Sequence, residues 1–355
     1  MERLKRVMDA IVVPDQEVGR AAQTRLDNLT KPRGALGRLE ELARDLCVMR
    51  GQAALTQPKP AVAVFAADHG VTASGVSLYP PEVTAQMVLN FLAGGAGINV
   101  LGRQAGAVVR VVDVGVNHDF EDLPGLVRAK VKRGTDNLAE GPAMTREEAL
   151  QAIGVGMKVA LGLMDEGHDL LIPGEMGIGN TAAASAVTAT LCGLPPKDVT
   201  YRGTGLDDKA LAHKVRVLEK ALALHQADPA DPLGVLANLG GLEIAAICGY
   251  SLAAASRRTP VIFDGFISTA GALVASRLCP AAAGYFLVGH GSAEIGHAAQ
   301  CRALGKTPLL DLGMRLGEGT GAALAVQLVR AAVAIFNEMA TFAAAGVSDE
   351  EVQPG

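Results

Sequence analysis

The feature of this sequence that most constrains its fold is a repeated alternation between short apolar runs and alanine-rich stretches. Each run ends in small or acidic residues, and helix-forming residues follow it. The clearest runs are A-V-A-V-F-A-A-D-H-G at 61–70, A-V-V-R-V-V-D-V-G at 107–115, D-L-L-I-P-G-E-M-G-I-G-N-T at 169–181, T-P-V-I-F-D-G-F at 259–266 and G-Y-F-L-V-G-H-G-S at 284–292. Apolar strands that alternate with helices are typical of a mostly parallel sheet with helices on both faces. The sequence therefore predicts an α/β fold.

Polar side chains stand where these predicted strands end. Asp68, Glu175, Asp264 and Ser292 each close or follow an apolar run. Ligands of parallel sheets bind outside the carboxyl ends of the strands. We therefore expect these four side chains to converge on one cleft.

The two ends of the chain have a different pattern. After Pro14, apolar positions recur at helical spacing in D-Q-E-V-G-R-A-A-Q-T-R-L-D-N-L, and a second amphipathic helix is expected over 36–49. Such helices are expected to pack on a neighbouring element rather than to carry chemistry. The final S-D-E-E-V-Q-P-G at 348–355 is predicted to be a frayed tail.

Composition and charge limit the classes of partner. Hydrophobic residues make up 49% of the 355 residues and aromatic residues 3%, with no Trp, so the core must be aliphatic. The net charge is −5, and there is no long basic run with interleaved aromatic residues. These features argue against a nucleic-acid-binding surface.

The sequence also predicts a soluble protein of a reducing cytoplasm. Its charged N-terminus lacks the apolar core of a signal peptide. The most apolar predicted helix, near 321–336, is interrupted by Gln327 and Arg330, which favours a buried helix over a membrane span. The five cysteines are far apart and form no C-x-x-C pair, as expected of free buried thiols.

A glycine-rich turn at 174–187, G-E-M-G-I-G-N-T-A-A-A-S-A-V, follows a predicted strand and opens a helix. Gly177 and Gly179 would expose backbone amides there, and Asn180 or Thr181 can cap the helix. Free amides at a helix N-terminus bind phosphate. The turn is neither a Walker A motif nor G-x-G-x-x-G. It predicts a phosphate site, with an ordinary capped turn as the alternative.

A second glycine turn, Y-R-G-T-G-L-D-D-K, lies at 201–209 and contains Gly203. Lys214 follows it. A lysine at such a position is most often a solvated helix residue, and the alternative is that it neutralises a bound phosphate. Both residues are candidates for phosphate binding.

Three histidines near predicted strand ends raise the alternative of a metal-assisted hydrolase. They are His69, His290 and His297, with Asp68 as a further possible ligand. The sequence lacks H-E-x-x-H and the close histidine pairs that such metal sites use. We therefore expect hydrogen-bonded histidines and no metal.

The segment at 75–101 begins as a proline-containing loop and becomes a helix. The residues that could wall a flat apolar pocket are Ser77, Tyr79, Pro80, Gln86 and Met87. The alternative is a loop that only covers the sheet.

A single carboxylate, Glu318, stands between two glycines in R-L-G-E-G-T-G-A-A-L-A at 315–325. A surface glutamate needs no glycine neighbours. An acid that must contact a ligand, with the backbone kept clear, does need them, so Glu318 is a candidate catalytic residue.

Together these segments resemble one family, the nicotinate-nucleotide–dimethylbenzimidazole phosphoribosyltransferases of cobalamin nucleotide-loop assembly. The resemblance runs from L-G-R-L-E-E-L-A at 36–43 to L-G-E-G-T-G-A-A-L-A at 316–325, nearly the whole chain. The motifs between are A-D-H-G-V, V-T-A-Q-M-V-x-N-F, G-E-M-G-I-G-N-T, D-G-F-I-S-T-A-G-A-L, S-A-E-I-G-H and P-L-L-D-L-G-M-R-L-G-E-G-T-G. Each is weakly specific alone, whereas all of them in this order are specific.

This resemblance implies transfer of a 5-phosphoribosyl group from nicotinate mononucleotide to 5,6-dimethylbenzimidazole, which yields α-ribazole 5′-phosphate and nicotinate. It also implies a Rossmann-like large domain at 59–327 and a small helical domain built from 1–58 and 328–355. A homodimer without a metal or other cofactor is expected. A non-catalytic nucleotide-binding protein on the same fold is the remaining alternative.

The resemblance assigns roles to individual residues. Glu318 matches the family's general base, while Glu175 and Gly177 match residues near the phosphoribosyl group. Glu175 and Asp264 are candidates for stabilising positive charge on the ribose or for holding its hydroxyls, with Gly265 beside Asp264 in the same substrate-binding segment.

The remaining assignments concern the phosphate of the nucleotide and the benzimidazole. Ser292 and the amides of 177–181 are expected to hold phosphate. Tyr79 and Met87 are expected to face the benzimidazole. Because the family varies at these two positions, the preferred base is not fixed by the resemblance.

Overall fold

In the computed structural model, which describes residues 1–203 and 205–348, a sheet of six parallel strands lies at the centre of the molecule. The strands are β1 (Pro60–Ala67), β2 (Val108–Gly115), β3 (Leu126–Arg128), β4 (Leu170–Met176), β5 (Val261–Phe263) and β6 (Phe286–Val288). All five predicted apolar runs form strands. The predicted α/β fold with a parallel sheet is confirmed.

Helices pack on the sheet. Those in the described part of the chain are α1 (Glu2–Asp9), α2 (Gln16–Asp27), α3 (Arg38–Arg50), α4 (Glu82–Ala93), α5 (Gly97–Gln104), α6 (Arg146–Asp165), α7 (Asn180–Cys192), α8 (Asp208–His225), α9 (Pro232–Leu239), α10 (Leu242–Ser256), α11 (Phe266–Leu278), α12 (Gly296–Leu304), α13 (Thr320–Glu338) and α14 (Phe342–Ala345). All eight residues of β1 are buried, so both faces of this strand are covered. Complete burial explains why the strand reads as a continuous apolar run.

The strand order places a ligand site at one point of the sheet. The order is β3-β2-β1-β4-β5-β6, which is typical of Rossmann folds. The chain moves outward from β1 through β2 and β3, and then returns to build β4 on the other side of β1. Ligands bind at this switch point, beside the carboxyl ends of the strands. Asp68 follows β1 there, and Glu175 lies near the end of β4, paired in register with Phe65.

One strand was not predicted. Leu126–Arg128 forms β3, a three-residue strand at the edge of the sheet beside β2. Its residues are half-buried or exposed. A run this short and this exposed gives no continuous apolar signal in the sequence.

The two ends of the chain pack together, as the predicted small domain requires. Arg25 Nε donates to the carbonyl of Phe336 at 2.6 Å, and Leu29 pairs with Thr341 in an antiparallel bridge. The predicted domain boundary at 327–328, however, falls inside the unbroken helix α13. The division into two domains stays a prediction.

Two apolar stretches are long enough to cross a bilayer by length and composition alone, 82–104 and 320–338. The first is interrupted at 94–96, between α4 and α5. In the second, which is α13, 56% of the most apolar window is buried within the protein. The helix expected near 321–336 is thus largely a core helix. The predicted frayed tail, apart from Ser348, lies outside the described residues.

Candidate active site

A cavity of about 400 Å³ opens beside the carboxyl ends of β4, β5 and β6. Ten of the predicted site residues line it: Tyr79, Met87, Glu175, Gly177, Asn180, Thr181, Gly203, Gly265, Ser292 and Glu318. A larger pocket of about 740 Å³ lies among α2, α3 and the 280–284 turn, and it contains none of the predicted site residues. The smaller cavity is the candidate active site, since it lies outside the carboxyl ends of three strands, where ligands of such sheets bind. Asp68, which was expected on the same cleft, is not part of its lining.

The loop that carries Glu318 is held in an unusual backbone conformation. The angle φ is +84° at Gly317, +64° at Glu318 and +99° at Gly319. This left-handed region is unfavourable for a residue with a side chain. A Cβ at Gly317 would lie 2.2 Å from Glu175 Oε1, and one at Gly174 would lie 2.2 Å from the Glu318 carbonyl oxygen. The glycines therefore allow the loop to pack directly against β4.

The Glu318 carboxylate is buried against the N-terminus of α5. Its Oε2 accepts a hydrogen bond from the amide of Ile98 at 2.9 Å, and the residue is 5% exposed. Burial raises the pKa of Glu318, and the nearby charge of Asp264 raises it further. The amides of Ile98 and Gly97 oppose this shift. The side chain thus combines the raised basicity that burial gives with donors that stabilise its ionised form.

Glu175 lies directly behind the Glu318 loop. Its Oε2 accepts a hydrogen bond from Asn180 Nδ2, and its Oε1 accepts one from the Glu318 amide at 3.4 Å. Burial, followed by the charges of Asp264 and Glu243, raises the pKa of Glu175 to about 8. A carboxyl group in this state is largely uncharged at neutral pH, and a nearby cation would favour its ionised form.

Asp264 is placed differently from its predicted position. Its Oδ1 accepts hydrogen bonds from the amides of Gly321 at 2.6 Å and Ala322 at 3.0 Å. The amide of Gly319 lies 3.3 Å from Oδ2, and His290 Nε2 lies 3.4 Å from Oδ1. These contacts cap the N-terminus of α13. Asp264 is 1% exposed and lies outside the cavity lining, so its contact with a ribose is not supported by the geometry.

A cluster of hydrogen-bonded polar residues lies at one part of the cavity wall. Lys214 Nζ donates to Thr181 Oγ1 at 2.8 Å, and Glu294 Oε1 accepts from the Gly203 amide at 3.0 Å. Arg315 Nη1 donates to the Gly203 carbonyl at 3.1 Å. Two cations therefore stand beside the turn at 203 that was predicted to contribute to phosphate binding.

The interpretation of Lys214 as a solvated helix residue is wrong. The residue is 1% exposed although it lies on α8, and it is not part of the cavity lining. Burial lowers the pKa of Lys214 to about 8, while the charge of Glu294 opposes the change. Lys214 bonds to Thr181, which lines the cavity. Lys214 can therefore affect a ligand only through the Thr181 hydroxyl or through its positive charge.

The glycines of the predicted phosphate turn have packing roles. A Cβ at Gly177 would lie 2.2 Å from the carbonyl oxygen of Ala67. Gly179 has φ of +96°, and a Cβ there would lie 2.8 Å from Thr72 Cγ2, outside the cavity lining. The absence of side chains thus brings the start of α7 against the end of β1. Asn180 and Thr181 present the turn to the cavity.

The 75–101 segment is only partly in the cavity. Ser77 Oγ accepts a hydrogen bond from the Tyr79 amide at 3.2 Å, which shapes the loop. Ser77, Pro80 and Gln86 lie outside the cavity lining, and the last two are exposed. Their predicted contact with a ligand is not supported in this chain alone.

The apolar part of the cavity wall is formed by two helices and the Glu318 loop. From the 75–101 segment, Tyr79, Val83 and Met87 line it. Phe266 at the start of α11 and Leu316 beside the acid complete this surface. A planar aromatic ring suits such a wall, because its faces are apolar and only its edge needs hydrogen bonds.

The histidines have protein partners. His69 Nε2 lies 2.9 Å from Glu243 Oε1, and His297 Nε2 lies 3.1 Å from Thr269 Oγ1. Burial favours neutral His290, but the hydrogen bond and charge of Asp264 outweigh it and raise the pKa of His290. Over residues 1–203 and 205–348, no group of three or more His, Cys, Asp or Glu side chains is arranged to hold a metal ion.

Gly265 and Ser292 lie beside His290 and His297. A Cβ at Gly265 would lie 3.3 Å from His290 Nε2 and 3.4 Å from Ser292 Cβ. The Ser292 amide donates to His297 Nδ1 at 3.0 Å, and its hydroxyl accepts from the Glu294 amide at 3.3 Å. His297 therefore fixes the loop that brings Ser292 to the cavity.

Comparison with known proteins identifies the family to which a chain with this site belongs. A family model described as "Phosphoribosyltransferase" matches residues 11–347. The chain belongs to this phosphoribosyltransferase family. The nicotinate-nucleotide–dimethylbenzimidazole phosphoribosyltransferase of Geobacter sulfurreducens is 56% identical over 98% of this chain and 99% of its own length. The enzyme of that name from Chlorobium chlorochromatii is 54% identical over 98% and 99%.

Solved structures agree with the family assignment. The crystal structure of CobT from Thermus thermophilus has a TM-score of 0.91 and 50% identity, covering 94% of this chain and all of that one. A crystal structure of the nicotinate-nucleotide–dimethylbenzimidazole phosphoribosyltransferase from Thermus thermophilus has a TM-score of 0.90 and 50% identity, covering 95% of this chain and all of that one. The predicted family membership and the Rossmann-like fold are both confirmed.

Several cavity residues of this family member were not predicted to bind the substrates, although His290 was considered as a metal ligand. They are Val83, Met176, Ile178, Phe266, Ile267, His290, Glu294, Arg315, Leu316 and Gly317. The sequence could have indicated Arg315 and Leu316 as site residues, because they lie next to Glu318 in the same glycine-containing loop. Glu294 gave only a weak signal, a buried acid in S-A-E-I-G-H, and its contact with Gly203 spans 91 residues.

Proposed function

We propose that this phosphoribosyltransferase transfers the 5-phosphoribosyl group from nicotinate mononucleotide to 5,6-dimethylbenzimidazole, with Glu318 as the general base. The curated relatives of this name, which match almost the full chain, support the reaction. The single observation that carries the role of Glu318 is its position. It is a buried carboxylate on the cavity wall, tied through one oxygen to α5.

The contacts of Glu318 leave one oxygen available to a substrate. Oε2 accepts from Ile98, and within the described chain no donor is bonded to Oε1. Leu316, two residues earlier, belongs to the apolar wall. An aromatic base on that wall would bring a ring N–H to the acid, and a base must lie within hydrogen-bond reach of the proton it removes.

The reaction then proceeds by displacement at C1′ of the ribose. One benzimidazole nitrogen forms a bond to C1′ as the bond from C1′ to the pyridine nitrogen breaks, and nicotinate leaves with that electron pair. Attack opposite the leaving group converts the β-nucleotide to the α-product. Positive charge develops on the benzimidazole ring, and Glu318 accepts the proton of its other nitrogen. Before transfer, the carboxylate stabilises this charge.

Other residues of the cavity hold the rest of the nucleotide. Binding of the nucleotide, whose pyridinium ring is a cation, would favour the ionised form of Glu175, with its proton released to solvent. The carboxylate would then stabilise the positive charge that develops near C1′. The hydroxyls of Thr181 and Ser292 would bind the phosphate, with Arg315 supplying positive charge. The Gly203 amide already donates to Glu294, so the turn at Gly203 would position Arg315 instead. This arrangement is supported by Lys214, which donates to Thr181, and by Arg315, which donates to the Gly203 carbonyl, because both bring positive charge to this wall of the cavity.

The reaction is tested by measuring nicotinate release from nicotinate mononucleotide in the presence of a panel of benzimidazoles. Release that requires an added base and produces the α-ribotide is expected. Release that needs no base would favour a hydrolase, and loss of activity with EDTA would point to the metal-assisted alternative. Nucleotide binding without release would favour the non-catalytic alternative.

We also propose that the protein is a cytoplasmic homodimer. Leu78, Tyr79, Leu312 and Leu316 are large apolar residues that are more than half exposed, and two of them line the cavity mouth. Tyr79 and Leu316 share the cavity lining and Leu78 adjoins Tyr79 in the chain, and exposed apolar patches are typical of contacts between proteins. Sedimentation equilibrium of the purified protein would test the dimer, and a monomer at micromolar concentration would contradict it.

A further inference from the structure

Helix α5 begins without a capping side chain of its own. Its N-cap residue is Ala96, which has no side-chain acceptor for the first free amides of the helix. Ser, Thr, Asp or Asn usually occupies this position. The Ile98 amide donates instead to Glu318 Oε2, 220 residues away in the sequence. The helix is therefore capped by the acid of the active site.

Asn99 fixes the position of the helix start that Glu318 caps. Its Oδ1 accepts from the Ala96 amide at 3.1 Å, and its Nδ2 donates to the Phe91 carbonyl at 3.0 Å. Asn99 is buried, with 8% of its surface exposed. It joins the end of α4 to the first turn of α5, so the amides that face Glu318 are held in place.

The neighbouring glycine brings the helix close to the acid. A Cβ at Gly97 would lie 3.2 Å from Glu318 Oε2 and 2.9 Å from Leu316 Cδ2. A side chain at this position would push the loop away from α5. Gly97 thus gives the acid direct access to the helix amides.

We propose that Asn99 is a positioning residue for the reaction. It holds the α5 amides against one oxygen of Glu318, which aims the other oxygen at the substrate and keeps the acid ionised. This inference rests on the proposed role of Glu318 as the base. Asn99 acts through the helix and does not touch the substrate itself.

The charges around Glu318 give this arrangement a measurable consequence. The strand ends present the carboxyls of Glu175 and Asp264, and His290 lies beside Asp264. Helix α5 contributes only amides to this face. If the α5 amides moved away from Glu318, burial and the neighbouring negative charge would no longer be opposed. The pKa of Glu318 would then rise. Because the base must be ionised, activity would then be lost at a higher pH than in the wild type.

The test compares single-turnover phosphoribosyl transfer across pH in the wild type, Asn99→Ala and Ala96→Ser. The first variant releases the helix start, and the second supplies a hydroxyl that competes for the α5 amides. In both, we expect the acidic limb to move to higher pH by about one unit, since a hydrogen bond to a charged group favours the ionised form about tenfold. The KM for nicotinate mononucleotide should not change. Protonation of the benzimidazole also affects the acidic limb, but it is the same for all variants and therefore does not change the comparison between them.

A matched control separates positioning from loss of stability. Asn337 donates to the Leu55 carbonyl at 2.8 Å in another part of the molecule. Asn337→Ala should lower the melting temperature without moving the acidic limb. If Asn99→Ala does not fold, Asn99→Ser takes its place, since it also removes the contacts of the amide side chain. Ala96→Ser tests separately whether the α5 amides lower the pKa of Glu318.

The outcomes also separate this inference from the proposed function. An unshifted acidic limb in every folded variant, together with an inactive Glu318→Gln protein, would overturn the role of Asn99 and leave the base assignment intact. A Glu318→Gln protein with the wild-type rate would overturn both.

Discussion

At the scale of single residues, the site depends on side chains whose ionisation is altered by burial. Glu175 and Lys214 both have a pKa of about 8, although one is a carboxyl and the other an amine. Burial disfavours the charged form of each. Near neutral pH, the free protein therefore has a largely uncharged Glu175 and a Lys214 that remains mostly a cation.

We predict that nicotinate mononucleotide binds more weakly as pH rises through about 8. The folded-state pKa of Lys214 is lowered, so its charge is present below this value and lost above it. The KM should rise on the alkaline side, and Lys214→Arg, which keeps its charge, should remove most of the rise. A rise that persists in Lys214→Arg would assign it to ionisation of Glu175 instead.

We predict that Met87→Ala changes the preference among benzimidazole, 5,6-dimethylbenzimidazole and adenine. Met87 lines the apolar wall, and one methyl group in an apolar pocket is worth about 1–3 kcal/mol in discrimination. The ratio of kcat/KM values for these bases is the relevant measurement. Gln86→Ala, on the exposed side of the same helix, is the matched control. Equal ratios in wild type and Met87→Ala would remove Met87 from base recognition.

At the scale of secondary-structure elements, three helix starts build the site. Helix α5 is capped by Glu318, α13 is capped by Asp264, and the turn before α7 is packed on β1 through Gly177. In this way the positions of the active-site loops depend on contacts between distant parts of the chain.

We predict that Asp264→Ala destabilises the protein and lowers kcat. Loss of a cap costs about 0.5–2 kcal/mol, and the buried amides of Gly321 and Ala322 would lose their acceptor. The Glu318 loop, which immediately precedes α13, should then lose its position. Thr145→Ala, which removes the N-cap of α6, should cost similar stability and leave kcat unchanged. Equal kcat in both variants would show that the α13 cap is only structural.

The sequence predicted elements well where a local pattern specified them. The strand β1 is buried throughout, so its apolar run was unambiguous, whereas the edge strand β3 is short and partly exposed. Glu318 was found because glycines flank it in the chain. The burial of Lys214 and the capping of α5 by Glu318 could not be predicted, since they depend on contacts across 33 and 220 residues.

At the scale of the whole molecule, the ends of the chain and the sheet share one core. Buried Leu26 of α2 and Val333 of α13 belong to the same hydrophobic cluster as the strands. Helix α13 begins at the active site and ends beside the N-terminal helices. Unfolding of the terminal helices should therefore disturb the loop that carries Glu318.

We predict that Leu26→Ala lowers the free energy of unfolding by about 2–5 kcal/mol in a single cooperative transition. The reason is that the side chain is fully buried and α13 connects the terminal helices to the site. Calorimetry, with loss of activity followed in parallel, is the measurement. Two separate transitions, with activity retained after the first, would show that the predicted small domain unfolds independently.

The most direct test of the account is single-turnover transfer by Glu318→Gln. The substitution keeps the shape of the side chain and an oxygen acceptor but removes its basicity. A positioned base contributes about 10²–10⁴-fold, so the rate should fall by that order while nicotinate mononucleotide binding changes little. Raising the pH should not restore the rate, because an amide cannot become a base. A Glu318→Gln protein that transfers phosphoribose at the wild-type single-turnover rate would contradict the assignment, and Glu175 would then be the next candidate.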